Sequence, residues 1–233
     1  MPPSERERDE FAARGVVRLP GAIPRAATGD ARRAILGELE RLGLKSGSKL
    51  ASSRLQDLPP FQQTTHLGQL VKVPDALAAL FPAELLAAMA RLLPGERGPG
   101  RVAPQLLLTF PQKQPWSTEG LAWHLDLKVP PVDRVPGVQA FVLIDDVGPR
   151  GGATLALAGT HTLHHRPEAA GNAHSLLRRH GSIEALAPYG VSLVEMTGKA
   201  GDVYLMDMRV LHSPSLNASR AIRMMATVRL LGP

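Results

Sequence analysis

Trp123-His124-Leu125-Asp126 is the stretch on which the interpretation of this chain rests. In an extended strand, side chains two positions apart share a face, so His124 and Asp126 are expected to point into one cavity. An imidazole and a carboxylate are two of the three ligands of a mononuclear iron site that uses two histidines and one carboxylate. The stretch therefore predicts a metal centre on a β-strand, completed by a second histidine elsewhere.

His212 is the candidate for that second histidine, and it lies at the end of a β-like run over 202–212. The next run, 221–230, alternates: Met224, Ala226 and Val228 share one face with other apolar residues, and Arg223 lies on the opposite face. A buried guanidinium without an anion is costly. A structural aspartate or a bound dicarboxylate would each satisfy it.

The wider pattern predicts a mainly β fold with flanking helices. Helical signals occupy the first 100 residues, including a capping box at Ser4 and Glu7, an apolar stripe over 30–42, and an Ala- and Leu-rich segment over 74–93 broken near Pro82. Residues 45–66 suggest a long loop. Short β runs follow at 102–110, 121–129, 137–146, 153–157, 191–196, 202–212 and 221–231, with a helix near 174–187.

These runs favour a double-stranded β-helix, a jelly-roll or cupin-like core with the N-terminal helices packed outside it. We expect one domain over 1–233, with a mostly helical part over 1–100 and the β core over 101–233. A chain of 233 residues with 44% hydrophobic residues can fill one such core.

Composition excludes several classes of function. The sequence contains no cysteine, so a metal must take nitrogen and oxygen ligands. The net charge of +6 is spread along the chain and aromatic residues make up only 4%, which argues against nucleic-acid binding. The N-terminus lacks the pattern of a signal peptide and no apolar stretch approaches membrane-spanning length, so we expect a cytoplasmic protein that binds no membrane.

Together these motifs resemble the phytanoyl-CoA dioxygenase family of iron- and 2-oxoglutarate-dependent oxygenases. The resemblance covers nearly the whole chain and is densest from 121 to 229. It rests on the Trp123–Asp126 motif, on Gly151-Gly152-Ala153-Thr154 through Ala158-Gly159-Thr160-His161, and on the spacing of His212, Asn217, Ser219 and Arg223. It implies iron(II) held by His124, Asp126 and His212, with 2-oxoglutarate and O₂ as cosubstrates and Arg223 on the 5-carboxylate.

Further positions are predicted to line the site. Ser219 matches a family position near the cosubstrate, Gln105 and Thr109 precede the first ligands, and Phe141 stands where some members have tryptophan. We assign these four residues to cosubstrate binding with Arg223. The candidate substrate contacts are Gln139, which shares strand parity with Phe141, His66 in the predicted loop, and Lys128 near the mouth of the site.

The expected function is hydroxylation of an unactivated C–H bond in a small molecule, with specialised metabolism as one setting. Basic residues near the presumed mouth favour a carboxylate-bearing substrate: Arg101, Lys113, Lys128, Arg134 and Arg150. A monomer or a homodimer is compatible with the sequence. The alternatives are a cupin-like metal protein that does not use 2-oxoglutarate, which would not explain Arg223, and a non-catalytic binding protein on the same fold.

Overall fold

Two antiparallel β-sheets face each other, and most of their strands come from the second half of the chain. The computed structural model describes residues 3–46, 49–50, 53–95, 102–127, 134–165 and 173–232. The larger sheet has the order β1-β8-β5-β10-β4 and the smaller has the order β7-β6-β9. The strands are β1 Val16–Leu19, β4 Gln105–Thr109, β5 Gly137–Leu143, β6 Thr154–Ala158, β7 Ser192–Glu195, β8 Val203–Asp207, β9 Leu211–Pro214 and β10 Arg223–Leu231. A separate short hairpin joins β2 Lys45–Ser46 to β3 Lys49–Leu50.

Most of the helices precede this core. They are α1 Glu5–Arg14, α2 Arg25–Arg41, α3 Ser53–Gln56, α4 Pro60–Leu70, α5 Pro74–Ala78, α6 Ala83–Ala90 and α7 Ala173–His180, with 3₁₀ turns at Thr160–His165 and Glu184–Tyr189. The predicted capping box is present, since Ser4 Oγ accepts from the Glu7 amide and the Glu7 carboxylate accepts from the Ser4 amide. The predicted break near Pro82 is also present, because α5 and α6 are separate helices.

The larger sheet has one face for the helices and one for the cavity. On β10, Met224, Ala226 and Val228 are buried in the cluster that also holds Ile35 of α2 and Leu67 of α4. Burying each large aliphatic side chain contributes about 1.5–3 kcal/mol. The opposite face of the same strand carries Arg223 and the other residues of odd number. The alternation predicted for 221–230 is therefore confirmed, and it directs the odd-numbered side chains towards the smaller sheet.

The prediction of a long loop over 45–66 is wrong for the second half of that segment. It contains α3 and most of α4, whose first turn has Pro60 at a position that a proline tolerates. A Cβ on Gly68 would lie 2.6 Å from the Leu106 carbonyl oxygen, so glycine allows α4 to approach β4 closely. The sequence lacks a strong apolar stripe here because several helix residues face a cavity instead of a solid core.

Two other predicted elements differ in extent. The run 202–212 is two strands in different sheets, β8 and β9, separated by a turn in which Arg209 pairs with Asp207 at 2.7 Å. Within the described part of 121–129, the expected strand is reduced to one isolated bridge between His124 and His212. The predicted helix near 174–187 is α7 followed by a 3₁₀ turn that contains Pro188.

None of the helices in the described ranges is both long and apolar enough to cross a membrane.

Candidate active site

Side chains from two distant parts of the chain, 124–126 and 212, converge between the two sheets. Ligand atoms of His124, Asp126 and His212 all lie within 4.8 Å of one another. Backbone hydrogen bonds hold the two histidines in register, with the His124 amide 2.9 Å from the His212 carbonyl and the His212 amide 3.1 Å from the His124 carbonyl. A single β-bridge to β9 thus places His124, and Asp126 two residues later, beside His212.

The ring nitrogens of both histidines have defined roles. Nδ1 of His124 lies 2.7 Å from the Ala122 carbonyl oxygen, and Nδ1 of His212 lies 3.1 Å from the Val210 carbonyl oxygen. A carbonyl oxygen only accepts, so in the neutral rings Nδ1 carries the proton and Nε2 keeps a free lone pair. Each Nε2 lies 3.8 Å from an Asp126 oxygen. Two imidazole lone pairs and one carboxylate therefore converge, as a divalent transition metal requires.

Burial keeps the second of these histidines neutral. Desolvation, followed by the electrostatic effect of His124, lowers the pKa of His212 from 6.5 to about 4. A protonated imidazole cannot bind a metal ion. The site therefore keeps the His212 lone pair available well below neutral pH.

Arg229 is a site residue that the sequence interpretation did not single out. Its Nε donates to Asp126 Oδ2 at 2.7 Å, and its Nη1 donates to Gln105 Oε1 at 3.2 Å. The alternation of β10 places Arg229 on the same face as Arg223, and this pattern could have identified Arg229 from the sequence. What the sequence did not show is that Asp126 and Gln105 come within reach of this side chain.

Arg223 lies deep on the same face of β10 and is 3% exposed. Its Nε donates to the Gly152 carbonyl at 2.6 Å and its Nη1 to the Leu107 carbonyl at 2.9 Å. Its buried Nη2 has no hydrogen-bond partner among the described residues. Burial lowers the pKa of Arg223 to about 9, which leaves the guanidinium charged at neutral pH. A buried cation with a spare donor can bind an anion from the cavity.

The glycine-rich turn shapes the surroundings of this arginine. Gly152 has φ 76°, and a Cβ there would lie 2.6 Å from Thr109 Oγ1 and 2.7 Å from Asn217 Cβ. Only glycine fits both the conformation and the space. The same residue supplies the carbonyl that fixes Arg223 Nε, so the turn positions the guanidinium as well as reversing the chain.

A cavity of about 620 Å³ connects the metal-binding triad to both arginines. The sheets contribute polar groups together with the ring of Phe141. The opposing wall comes from α4 and α5 with their connection and is mixed. Its apolar residues are Phe61, Val71, Val73, Pro74 and Leu77, and its polar residues are Thr64, Thr65, Gln69 and Lys72. The cavity thus offers both charged and apolar surface to its ligands.

Three of the secondary residues proposed from the sequence line this cavity: Gln105, Gln139 and Phe141. Thr109 lies behind it, paired in register with Arg223, and its buried hydroxyl has no partner in the described structure. Ser219 is placed in a turn instead. Its hydroxyl donates to Asn217 Oδ1 at 2.6 Å, which stabilises the turn leading into β10.

Of the three substrate contacts proposed from the sequence, Gln139 lines this cavity and His66 does not. His66 is on α4, not in a loop, and it borders an adjoining groove with Leu55 and Leu58. Lys128 lies outside the described residues. The basic residues expected at the mouth are also placed differently. In the described part of the chain the cavity is lined by Lys72, Arg223 and Arg229, and Lys113, Arg134 and Arg150 are not part of its wall.

Solved structures with the same fold are distant in sequence. The carbocyclase SnoK of nogalamycin biosynthesis, described as non-heme and alpha-ketoglutarate-dependent, matches with a TM-score of 0.64 at 18% identity, over 99% of this chain and 84% of that one. EvdO2 from Micromonospora carbonacea var. aurantiaca, complexed with 2-oxoglutarate, matches with a TM-score of 0.60 at 16% identity, over 100% of this chain and 92% of that one. HygX from Streptomyces hygroscopicus, with nickel and 2-oxoglutarate bound, matches with a TM-score of 0.58 at 15% identity, over 99% of this chain and 87% of that one.

No curated protein matches the chain significantly in sequence. The family model described as phytanoyl-CoA dioxygenase (PhyH) matches residues 20–225, which is most of the chain and includes every member of the triad and Arg223. The fold that its strands form, mainly antiparallel sheets with flanking helices, is the jelly-roll fold of such oxygenases. The chain belongs to the phytanoyl-CoA dioxygenase family.

Proposed function

We propose that this protein is an iron(II)- and 2-oxoglutarate-dependent dioxygenase that hydroxylates an unactivated C–H bond of a small molecule. The observation that supports this most is that the triad and the Arg223 guanidinium open into one cavity. The unpartnered Nη2 of Arg223 fits a dicarboxylate cosubstrate, and the three converging ligands fit iron(II). In this proposal the whole chain is a single oxygenase domain.

Each residue has a distinct task in the proposed reaction. His124, Asp126 and His212 would hold iron(II) through two imidazole nitrogens and one carboxylate. Arg223 would bind the 5-carboxylate of 2-oxoglutarate through its buried Nη2. Iron with 2-oxoglutarate supplies O₂-driven oxidation of a C–H bond, with release of succinate and CO₂. The protein contributes the position of the substrate and the exclusion of water.

Phe141 and Arg229 support the centre from the sheet. The Phe141 ring packs edge-on near His212, with ring centroids 6.2 Å apart. Arg229 holds one oxygen of Asp126, which favours a carboxylate that offers its other oxygen to the metal. Gln105 fixes the far end of Arg229. We propose Thr109 as a further cosubstrate contact through its buried hydroxyl, which lies beside Arg223.

Hydroxylation is the outcome that we propose among those open to this fold. SnoK is named as a carbocyclase, so a related fold also supports ring closure. Here the carboxylate ligand is present and the cavity is large enough for a small molecule beside the cosubstrate. A carboxylate on the substrate would meet Lys72 and Arg229. We further propose a cytoplasmic monomer or homodimer.

The test begins with metal-free protein under anaerobic conditions. Addition of iron(II) and then 2-oxoglutarate should produce the weak visible charge-transfer band of a chelated cosubstrate. In air, the same protein should convert 2-oxoglutarate to succinate faster when a substrate is present. If iron binds but 2-oxoglutarate neither binds nor gives the band, the protein is instead a metal-binding member of the fold that does not use this cosubstrate.

A further inference from the structure

The amide of Gln139 has one fixed orientation. The Thr227 hydroxyl donates its single hydrogen to the Ala140 carbonyl at 2.8 Å, so it can only accept from Gln139. The Gln139 atom that lies 3.1 Å from Thr227 Oγ1 is therefore Nε2, the donor. Oε1 must be the other atom of the amide. It is buried and has no hydrogen-bond partner among the described residues, and Gln139 lines the cavity.

A second buried glutamine shows what a structural amide looks like in this protein. Gln63 uses both ends, since its Nε2 donates to the Leu55 carbonyl and its Oε1 accepts from the Phe110 amide at 2.7 Å. Gln63 and Gln139 are 0% and 2% exposed. A buried acceptor without a donor destabilises the fold, so a contribution to stability does not explain why the side-chain oxygen Oε1 of Gln139 is buried here.

Gln139 lies away from the cosubstrate anchor. On β10, Arg223 is paired with Thr109, whereas Arg229, six residues later, is paired with Gln139. The Gln139 amide itself lies against Thr227, four residues after Arg223, and four residues of strand span roughly 13 Å. Arg229, the backbone partner of Gln139, contacts Asp126, so Gln139 lies near the triad. At neutral pH 2-oxoglutarate carries no hydrogen-bond donor, so the cosubstrate cannot be the partner of Gln139 Oε1.

We propose that Gln139 Oε1 is a substrate-recognition atom that accepts a hydrogen bond from a hydroxyl or an amide N–H of the substrate. This inference rests on the proposed function and names the substrate class of the same site. The nearby cations Arg229 and Lys72 disfavour an ammonium group at this position. The apolar residues that α4, α5 and their connection contribute to the cavity favour a hydrocarbon part in the substrate. The buried Thr64 hydroxyl, also without a partner in the described structure, offers a second polar contact on the wall that these elements form.

The first experiment separates recognition from structure. Gln139→Met nearly keeps the size of the side chain and removes the unpaired Oε1 together with the Nε2 bond to Thr227, whose hydroxyl keeps its bond to Ala140. No buried donor is left unpaired, so the melting temperature of the metal-free protein should stay close to that of wild type. The matched control Gln63→Met leaves the Phe110 amide unpaired and should lower the melting temperature by several degrees. If Gln139→Met is destabilised as much as Gln63→Met, the Gln139 amide is structural and the inference is wrong.

The second experiment tests the hydrogen bond with paired probes. Cyclohexanol is compared with methoxycyclohexane, and N-methylcyclohexanecarboxamide with its N,N-dimethyl counterpart, on anaerobic protein loaded with iron(II) and 2-oxoglutarate. In wild type, the member with a donor should raise the melting temperature more. The difference should disappear in Gln139→Met and persist in Gln139→Glu, which keeps an acceptor.

The outcomes distinguish this inference from the proposed function. Equal responses to both members of each pair in wild type, including no response, overturn the inference, as does a preference that survives Gln139→Met. A wild-type protein that lacks the 2-oxoglutarate band but still prefers the donor probes would instead overturn the proposed function. A band without any donor preference leaves the proposed function standing and removes the role of Gln139.

Discussion

Arg229 Nε lies 2.7 Å from Oδ2 of Asp126, the only carboxylate of the triad. The Asp126 side chain is 12% exposed and that of Arg229 is 35% exposed, so the carboxylate is mostly buried and the guanidinium is partly in contact with solvent. An oxygen that accepts this charge-assisted bond is oriented by it. The pairing would therefore leave Oδ1 of Asp126 to bind a metal ion, and it places a positive charge beside the three ligand residues.

Arg229→Met should alter the electronic environment of the metal more than its affinity. Losing the positive charge favours iron(II) binding, whereas losing the orientation of Asp126 opposes it, so we expect the iron affinity to change by less than about tenfold, or 1.4 kcal/mol. The charge-transfer band with 2-oxoglutarate should shift to lower energy because the metal becomes more electron-rich. Anaerobic titration with visible spectroscopy measures both quantities. An unchanged band position would show that Arg229 does not act on Asp126 once the metal is bound.

Replacing His124, Asp126 or His212 by alanine should abolish the charge-transfer band. Each change removes one of three ligand atoms that lie within 4.8 Å of one another. His66→Ala is the matched control, since that exposed histidine on α4 borders a different groove. Retention of wild-type band intensity and turnover in any one of the three variants would exclude that residue as a ligand.

Arg223→Ala should weaken 2-oxoglutarate binding by about 2–5 kcal/mol, because it leaves a carboxylate of the cosubstrate without its buried partner. Iron binding should change much less, since Arg223 bonds to Gly152 and Leu107 and to none of the triad. Arg220→Ala, in the exposed turn before β10, is the control and should leave both affinities near wild type. Separate calorimetric titrations with metal and cosubstrate measure the two effects, and the reverse ranking of the arginines would contradict the assignment.

The stability of the metal-free protein should depend on pH through His212. Its pKa is about 4 in the folded protein and 6.5 as a reference, so between these values the unfolded chain binds a proton that the folded one does not. The free energy of unfolding should therefore fall as the pH drops from 6.5 towards 4, by up to about 3 kcal/mol from this group. Urea unfolding at neutral pH and near pH 4.5 should show a larger loss for wild type than for His212→Gln. Equal losses would show that His212 does not carry the effect.

Local sequence determined the elements whose signals are local. The capping box at Ser4, the break near Pro82 and the alternation on β10 each depend on residues within a few positions of one another. The types and spacing of the triad residues and Arg223 likewise suggested an iron site with an anion-binding arginine. The three triad residues lie close enough together to hold a metal ion, and the family model matches most of the chain. The cosubstrate role of Arg223 stays a prediction.

The tertiary structure alone decided which other side chains reach the site. Arg229 meets Asp126 across 103 residues of sequence, Gln139 is oriented by Thr227 across 88, and Ser219 is taken up by a turn. Likewise, α4 replaced a predicted loop because its polar face lines a cavity. Secondary structure is specified by neighbours along the chain, whereas hydrogen-bond partners are specified by how strands pair and helices pack. A pattern read along one chain therefore predicts ligand types but not their partners.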